Sequence, residues 1–368
     1  MDQEFILRKI AEVMNWDDAS ATTEFARIRL MSRIKYDGYQ DFLAGARFAE
    51  RLLDWLQQFP PNRRDAAYGF IRDRLVYISA AEMDHLVELF FFENVVPRLV
   101  RAVADSRRVP SYAIWGDEDA KREFRKLLRK SLFIELSDGA RIGTFRRANA
   151  GWIDNEQVVT APRINEDKWG ELLEDLRESV GDENARFEFI FLMDDFTASG
   201  TSLLRKPEKA WKGKLFRFRK DVSNVLATHF ADPVTIHVHH YLATEQARDS
   251  IDARNAQITD ELKDDWFSSV EFSYGHVLVD GAIDLVTDAE FIEIVDEHYD
   301  TSIDKKFKRH IEQSGVDTMK YGYGGCRLPI ILDHNAPNNS FPILWAESPG
   351  GDGGPPMRAL FRRRQRHT

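Results

Sequence analysis

Apolar residues at three- and four-residue spacing mark the first third of the chain and predict helices there. The segment from Tyr39 to Phe59 keeps this spacing, and two prolines follow it. A second helix is predicted through Phe70 to Val76, and a third from Glu82 to Ala104, which is too apolar in its middle to face water all round. Residues 1–128 are therefore predicted to form a helical extension, packed on a core, that serves as scaffold or partner surface.

From residue 129 the pattern changes to short apolar runs that alternate with helical segments. The predicted strands are residues 131–136, 142–147, 187–193 and 234–244, and the predicted helices are residues 169–176 and 245–257. Strands that alternate with helices favour an α/β fold with a mainly parallel sheet. We assign this fold to residues 129–348.

Two basic segments stand out from this pattern. Residues 205–220 are predicted to form an exposed insertion. Residues 349–368 are predicted to be a flexible basic tail, because a Gly/Pro-rich stretch precedes a cluster of arginines. These arginines could contact nucleic-acid phosphates or an acidic partner, or the tail could simply be solvated.

The most informative chemistry lies between Phe187 and Ser202. An apolar strand runs directly into Asp194 and Asp195, and a loop of small residues follows. Small side chains let backbone N–H groups surround a phosphate, and hydroxyls add donors. The acid pair could reach ribose hydroxyls or a hydrated Mg²⁺. The alternative is a strand that ends in a polar turn. The predicted phosphate-binding residues are Thr197, Ala198, Ser199, Gly200, Thr201 and Ser202.

This run resembles the phosphoribosyl-pyrophosphate (PRPP) signature of type I phosphoribosyltransferases. Ile190 to Met193 match its apolar positions, Asp194 and Asp195 its acids, and Ala198 to Ser202 its phosphate loop. Thr197 departs from the family, which usually has an aliphatic residue there. The resemblance implies a type I phosphoribosyltransferase-like fold, a PRPP or nucleotide 5-phosphate ligand, and catalysis by Asp194 and Asp195 with Mg²⁺ held indirectly by both.

A second loop follows the strand at residues 131–136. Gly139 could adopt a conformation that other residues avoid, and Arg141 could pair with two phosphate oxygens. The resemblance implies that this loop binds pyrophosphate, whereas the Asp-Gly pair also favours an ordinary hairpin turn. The loop comprises Ser137, Asp138, Gly139, Ala140 and Arg141.

Further polar residues are candidates for contact with a base or for a covering loop. Glu156 lies in a polar cluster that could cover the site, together with Arg146 and Arg147. A polar loop near the C terminus could read a base edge, or it could merely form turns. Its candidate residues are His334, Asn335 and Asn338.

Three histidines lie on the strand at residues 234–244. His237 and His239 share a face and could ligate a metal, and His240 takes the other face. No further ligand set with metal spacing accompanies them, so neighbouring residues are expected to satisfy them instead.

Composition narrows the class of protein. No run approaches about 18 uncharged apolar residues, which excludes a transmembrane helix, and the acidic start does not resemble a signal peptide. The single cysteine, Cys326, excludes an internal disulfide and fits a reducing cytoplasm. The net charge of −10 argues against a protein that coats nucleic acid.

Most of the chain is also similar to the phosphoribosyltransferase-like proteins of bacterial antiviral conflict systems. That resemblance implies a partner encoded nearby, such as an ATPase, a DNA-binding protein or a reverse transcriptase. We expect a nucleotide-metabolising effector, acting by glycosyl transfer or by cleavage of an N-glycosidic bond. The alternative is a non-catalytic module that senses PRPP or a nucleotide and regulates its partner. The phosphate loop serves both functions equally well.

Overall fold

A computed structural model describes residues 3–40, 42, 47–160, 164–279, 289–351 and 353–363. The chain divides into two compact units, the first formed by Met1–Glu82 with Asp280–Thr368 and the second by Met83–Val279. These bounds differ from the expected division at residues 128 and 348. The helical segment from residue 83 belongs to the unit that holds the sheet, and the C-terminal segment belongs with the N terminus.

The described helices are α1 Gln3–Met14, α2 Asp18–Ile34, α3 Phe48–Gln57, α4 Pro61–Asp73, α5 Ala80–Phe90, α6 Val96–Arg107, α7 Glu118–Arg129, α8 Ile142–Ala148, α9 Glu166–Val180, α10 Lys214–Asp221, α11 Leu226–His229, α12 Glu245–Leu262, α13 Ala289–His298, α14 Ser302–Lys306, α15 Lys308–Ser314 and α16 Pro342–Trp345. The described strands are β1 Val76–Ile78, β2 Ser131–Glu135, β3 Val158–Val159, β4 Phe187–Thr197, β5 Phe230–Thr244, β6 Ser269–Leu278 and β7 Ile330–Leu332. None of these helices is both long and apolar enough to cross a membrane.

The second unit is built on a five-stranded sheet with the order β3-β2-β4-β5-β6. All of its strand pairs are parallel. Parallel sheets are covered by helices on both faces, which explains why β2 and β4 read as nearly continuous apolar runs. The predicted α/β fold with a mainly parallel sheet and an N-terminal helical region is confirmed.

Side chains alternate between the two faces of β4. Ile190 and Leu192 join a core that includes Trp169 of α9. Phe191 points the other way, where it stacks on Phe133 with ring centroids 5.2 Å apart. A strand has a side-chain period of two, so the alternation continues to the acid pair at its end. Asp194 shares the face of Leu192, and Asp195 lies on the face of Phe191.

The segment at residues 142–147, predicted to be extended, is instead part of helix α8. Ile142 and Phe145 are buried three residues apart, a spacing that gives one helical face rather than one strand face. Phe145 packs against Phe133 with ring centroids 5.0 Å apart. The prediction was wrong because Ile, Thr and Phe favour strands locally, whereas packing decides the structure here.

The segment at residues 205–220 is not an exposed insertion. Trp211, Leu215 and Phe218 are buried in the core beneath the sheet. The backbones of Arg205 and Lys212 bond to each other in both directions at 2.9 and 2.8 Å. This segment is therefore anchored at several points along its length.

In the first unit, β1 pairs in parallel with β7 above a core of helices. β7 covers Ile330–Leu332, and all three of its residues are buried. The helix expected through Val76 ends at Asp73, and β1 begins at Val76. Of the first predicted helix, residues 41 and 43–46 lie outside the described residues.

The predicted flexible tail is wrong for most of its length. Met357, Leu360 and Phe361 are buried in the core of the first unit. Phe361 packs on Tyr36 with ring centroids 5.5 Å apart. Burial of these apolar side chains outweighs the Gly/Pro-rich composition before them. Residues 352 and 364–368 lie outside the described residues.

Candidate functional site

The strand order of the second unit creates a topological switch point between β2 and β4. The chain runs outward from β2 to β3 on one side, and from β4 to β5 and β6 on the other. In open α/β sheets, ligands bind at such a point, beyond the carboxyl ends of the strands. The loop at residues 137–141 follows β2 and the loop at residues 198–204 follows β4, so both loops predicted from sequence border this crevice.

The loop at residues 137–141 is in direct contact with the end of β4, where Gly139 lies against Asp195. A methyl group on Gly139 would lie only 2.1 Å from Oδ2 of Asp195. Gly139 does not have a positive φ, whereas Arg141 does, at 49°. The expected reason for this glycine was therefore wrong, because the position needs close approach and not an unusual backbone conformation. Residues Asp138–Ala140 form a 3-10 turn that leads into α8, which excludes the hairpin alternative.

Asp194 is fully buried and its carboxylate is already hydrogen-bonded. Oδ1 accepts from the Ser137 hydroxyl and from the Asp195 backbone N–H, the latter at 3.2 Å. Oδ2 accepts from the Lys214 ammonium. Protein donors thus occupy both oxygens of Asp194, and the expectation that both acids contact the sugar stays a prediction.

Asp195 differs from its neighbour in exposure and in surroundings. It is half-buried on the opposite face of the sheet and lies against Gly139. It is thus the acid of the pair that borders the crevice. Ser137 follows β2 and donates to Asp194, so it links the loop at residues 137–141 to the end of β4.

The phosphate loop is held in shape by bonds to its carbonyl groups. The Thr244 hydroxyl donates to the Ala198 carbonyl at 2.7 Å, and Arg254 donates to the Ser199 carbonyl at 3.0 Å. Gly200 has φ of +69°, and a methyl group there would lie 2.8 Å from Ile251. This loop therefore needs glycine both for its backbone conformation and for its packing.

The hydroxyls of the loop differ in accessibility. The Ser199 and Thr201 hydroxyls lie 2.9 Å apart, and Ser202 is exposed. The Thr197 hydroxyl is buried without a hydrogen-bond partner among the described residues. Thr244, at the end of β5, also caps helix α12, because its hydroxyl accepts from the Ala247 N–H at 3.1 Å.

Lys214 was missed by sequence reasoning. It lies 20 positions after Asp194 in the segment that the sequence predicts to be an exposed insertion, and its contact depends on the folding of that segment. The available signal was the apolar spacing of Trp211, Leu215 and Phe218, which indicates an anchored helix.

The strand histidines have two different environments. His237 Nε2 and His239 Nδ1 both lie 2.6 Å from the Ser273 hydroxyl, so neighbours satisfy one nitrogen of each, as expected. His240 is buried without a hydrogen bond, and its Nε2 lies 3.8 Å from Asp194 Oδ2. Burial lowers the pKa of His240 to about 4, which makes it neutral at pH 7. No group of three metal-ligating side chains occurs among the described residues.

Glu135 is a further acid that sequence reasoning did not single out. It pairs in register with Met193 and therefore shares the face of Asp195. Burial, together with the charge of Asp138, raises the pKa of Glu135 to about 7. A carboxyl with that pKa can either give or take a proton near neutral pH.

The remaining candidates belong to other elements of the fold. Glu156 precedes the edge strand β3, 3.9 Å from Arg129, rather than following a strand at the carboxyl edge. His334, Asn335 and Asn338 belong to the first unit. The Asn335 backbone N–H closes a tight turn by donating to the Leu332 carbonyl at 3.1 Å, as the turn alternative expects. A role in base recognition stays a prediction for these residues.

Comparison with known proteins assigns the chain to a family. No curated protein and no solved structure matches the chain. The model of the PRTase-CE family matches residues 52–363. That match spans both units and includes both loops of the crevice. The chain therefore belongs to PRTase-CE, a phosphoribosyltransferase-like family.

Proposed function

We propose that the second unit binds PRPP or a nucleotide 5-phosphate and acts at the anomeric carbon of the ribose. The observation that supports this most directly is the contact between Gly139 and Asp195 at the switch point. Through this contact, the loop at residues 137–141 lies against the accessible carboxylate of Asp195, three residues before the phosphate loop. A ligand with a phosphate at one end, a diol in the middle and a second anionic group fits this arrangement.

Each part of the site has its own role in this proposal. The backbone and hydroxyls of residues 198–202 hold the 5-phosphate, and Asp195 binds the ribose diol. Residues 137–141 bind the pyrophosphate or another leaving group. Asp194 is a positioning residue, because its bonds to Ser137 and Lys214 tie the loop at residues 137–141 and the first residue of α10 to the end of β4.

The site also fits Mg²⁺, which usually binds through one or two carboxylates plus substrate phosphates and water. Asp195 is the carboxylate at the accessible edge of the crevice. When bound, the ion would neutralise the charge of a pyrophosphate group. Asp194 would contribute only indirectly, since protein donors occupy both of its oxygens.

Glycosyl transfer at ribose passes through an oxocarbenium-like transition state, so positioning and charge stabilisation dominate catalysis. The phosphate loop and Asp195 would fix the sugar while the leaving group departs toward residues 137–141. Glu135 shares the face of Asp195 and is the group placed to accept a proton from the attacking nucleophile.

One observation favours the sensing alternative. Two cations close to the site are already paired with carboxylates, Lys214 with Asp194 and Arg141 with Asp84, the latter at 2.8 Å. A sensor needs no cation to stabilise a leaving group, whereas a transferase benefits from one. The antiviral role and the partner encoded nearby rest on resemblance and stay predictions.

Product analysis separates the two functions. Wild-type protein is incubated with Mg²⁺, PRPP and a mixed nucleotide pool, and the small molecules are separated by chromatography. A transferase or glycosidase consumes PRPP or a nucleotide, and Asp195→Asn abolishes that change. A sensor leaves the pool unchanged but still binds PRPP. If the protein neither binds PRPP or nucleotides nor alters the pool, the proposed function is wrong.

A further inference from the structure

The segment at residues 205–220, which we call the basic platform, is the most strongly charged stretch near the site. Its sixteen residues include eight lysines and arginines and one acid, in a chain with a net charge of −10. A local excess of this size against an acidic background is the electrostatic pattern of a polyanion-binding surface.

The basic platform is rigidly placed. Beyond its buried apolar side chains, Trp211 Nε1 donates to Glu261 at 2.8 Å. A methyl group on Gly213 would lie 2.2 Å from the Leu203 carbonyl oxygen, so the platform presses directly on the residues after the phosphate loop. Its cations are therefore displayed by a fixed backbone.

Four cations of the basic platform face solvent. They are Lys209, Lys212, Arg217 and Lys220. Within the described parts of the chain, no carboxylate forms an ion pair with any of them. Lys220 also lies over the partly exposed ring of Phe216, with its ammonium 4.9 Å from the ring centroid. Unpaired cations next to an accessible aromatic ring suit a single strand, whose phosphates and bases need both.

The basic platform continues directly from the phosphate loop. The Lys214 backbone N–H donates to the Ser202 carbonyl at 3.0 Å, and Leu215 donates to Leu203 at 3.1 Å. Lys212 is therefore only two residues from a position bonded to the end of that loop. A ligand that extends from the phosphate loop toward the basic platform therefore comes next to the exposed cations of that platform.

The 5′-to-3′ direction of a nucleic-acid chain identifies the ligand that could occupy both the crevice and the basic platform. With its diol at Asp195 and its 5-phosphate in the loop, a nucleotide can continue into a chain only through that phosphate. A nucleotide with a free 2′,3′-diol and a 5′-phosphodiester is the 3′ end of an RNA. We propose that the basic platform binds the backbone of a single-stranded RNA whose 3′-terminal nucleotide occupies the crevice. This inference rests on the proposed function and specifies its substrate class.

The test uses fluorescence anisotropy with the full chain and a short RNA labelled at its 5′ end. The comparison ligands are the same RNA with a 3′-phosphate and a DNA of the same sequence, which lacks the 2′-hydroxyl. We expect the RNA with a free diol to bind at least tenfold more tightly than either, and PRPP to displace it.

The platform variant is K209A/K212A/R217A/K220A. Each lost phosphate contact should reduce the slope of log affinity against log salt by roughly 0.7 for a single strand. We therefore expect a lower slope and at least a tenfold loss of RNA affinity, with unchanged PRPP affinity as proof of folding. The matched control, R101A/R122A/R125A/K126A, removes four exposed cations from α6 and α7 and should bind RNA as wild type does.

Three results would overturn the inference: no RNA binding by protein that binds PRPP, equal affinity for the three oligonucleotides, or equal loss in the platform and control variants. Failure to bind PRPP, nucleotides or the RNA terminus would instead count against the proposed function, so the two failures are distinguishable.

Discussion

Asp194 and Asp195 are neighbours in sequence but lie in contrasting environments on opposite faces of one sheet. Asp194 is fully buried next to Lys214 and His240. Asp195 faces the crevice beside Gly139 and is half-buried. The difference shows that two neighbouring acids at a strand end can have different surroundings. In the proposed function, Asp194 positions the site and Asp195 meets the ligand.

The largest expected effect is a loss of folding stability when Asp194 is substituted. Asp194→Asn removes the partner of a partly buried lysine, and breaking such a pair typically costs about 3 kcal/mol or more. Denaturant unfolding should show this loss, whereas Asp195→Asn should unfold like wild type. Asp194→Asn combined with Lys214→Met should recover part of the loss. Equal stability of the two single variants would refute the contrast between the acids.

Low pH should destabilise the folded protein through His240, which is buried beside Asp194. Because burial lowers the pKa of His240 from 6.5 to about 4, the unfolded chain binds a proton between these two pH values that the folded protein does not bind. The stabilising contribution is present above pH 6.5 and is lost as pH falls toward 4, by up to about 3 kcal/mol. Unfolding measured across this range should show a shallower pH dependence in His240→Gln. An unchanged slope would mean that His240 does not titrate in this way.

Gly139→Ala should weaken the binding of PRPP in the crevice. The added methyl group would displace Asp195, so we expect at least a tenfold loss of PRPP affinity, or about 1.4 kcal/mol. Gly143→Ala is the matched control, because its methyl group would lie 3.6 Å from the flexible end of Arg147. Calorimetric titration of both variants checks this, and equal affinities would exclude the contact from ligand binding.

The smallest effect concerns Glu135, whose pH dependence has the opposite sign. Its pKa is raised from 4.5 to about 7, so the folded protein holds a proton that the unfolded chain releases. Stability is lost as pH rises from 4.5 to 7, by less than about 1 kcal/mol, because the group is only partly buried and solvent screens its charge. Glu135→Gln should be more stable than wild type at pH 8 and equal to it at pH 4. A Glu135→Gln variant that is less stable at pH 8 would contradict the raised pKa.

Local patterns predicted the frame of the site well. The apolar run before Asp194 gave the strand, and the alternation of strands and helices gave the parallel sheet. Period-two alternation also holds the information that Asp194 and Asp195 face opposite ways.

Long-range contacts could not be predicted in the same way. The bond between Lys214 and Asp194 depends on how a segment folds 20 residues later. Gly139 was singled out for its backbone, but its reason lies in a side chain of another strand. The strand predicted at residues 142–147 became a helix because Phe145 packs on Phe133. In each case tertiary packing, which no local pattern encodes, decided the structure.

The most direct test of the central claim is calorimetric titration of PRPP with Mg²⁺ into wild type and Asp195→Asn. We expect wild type to bind and Asp195→Asn to bind at least 100-fold more weakly, with the same unfolding midpoint for both proteins. Equal affinity in the two proteins would contradict the claim that Asp195 is the acid that meets the ligand.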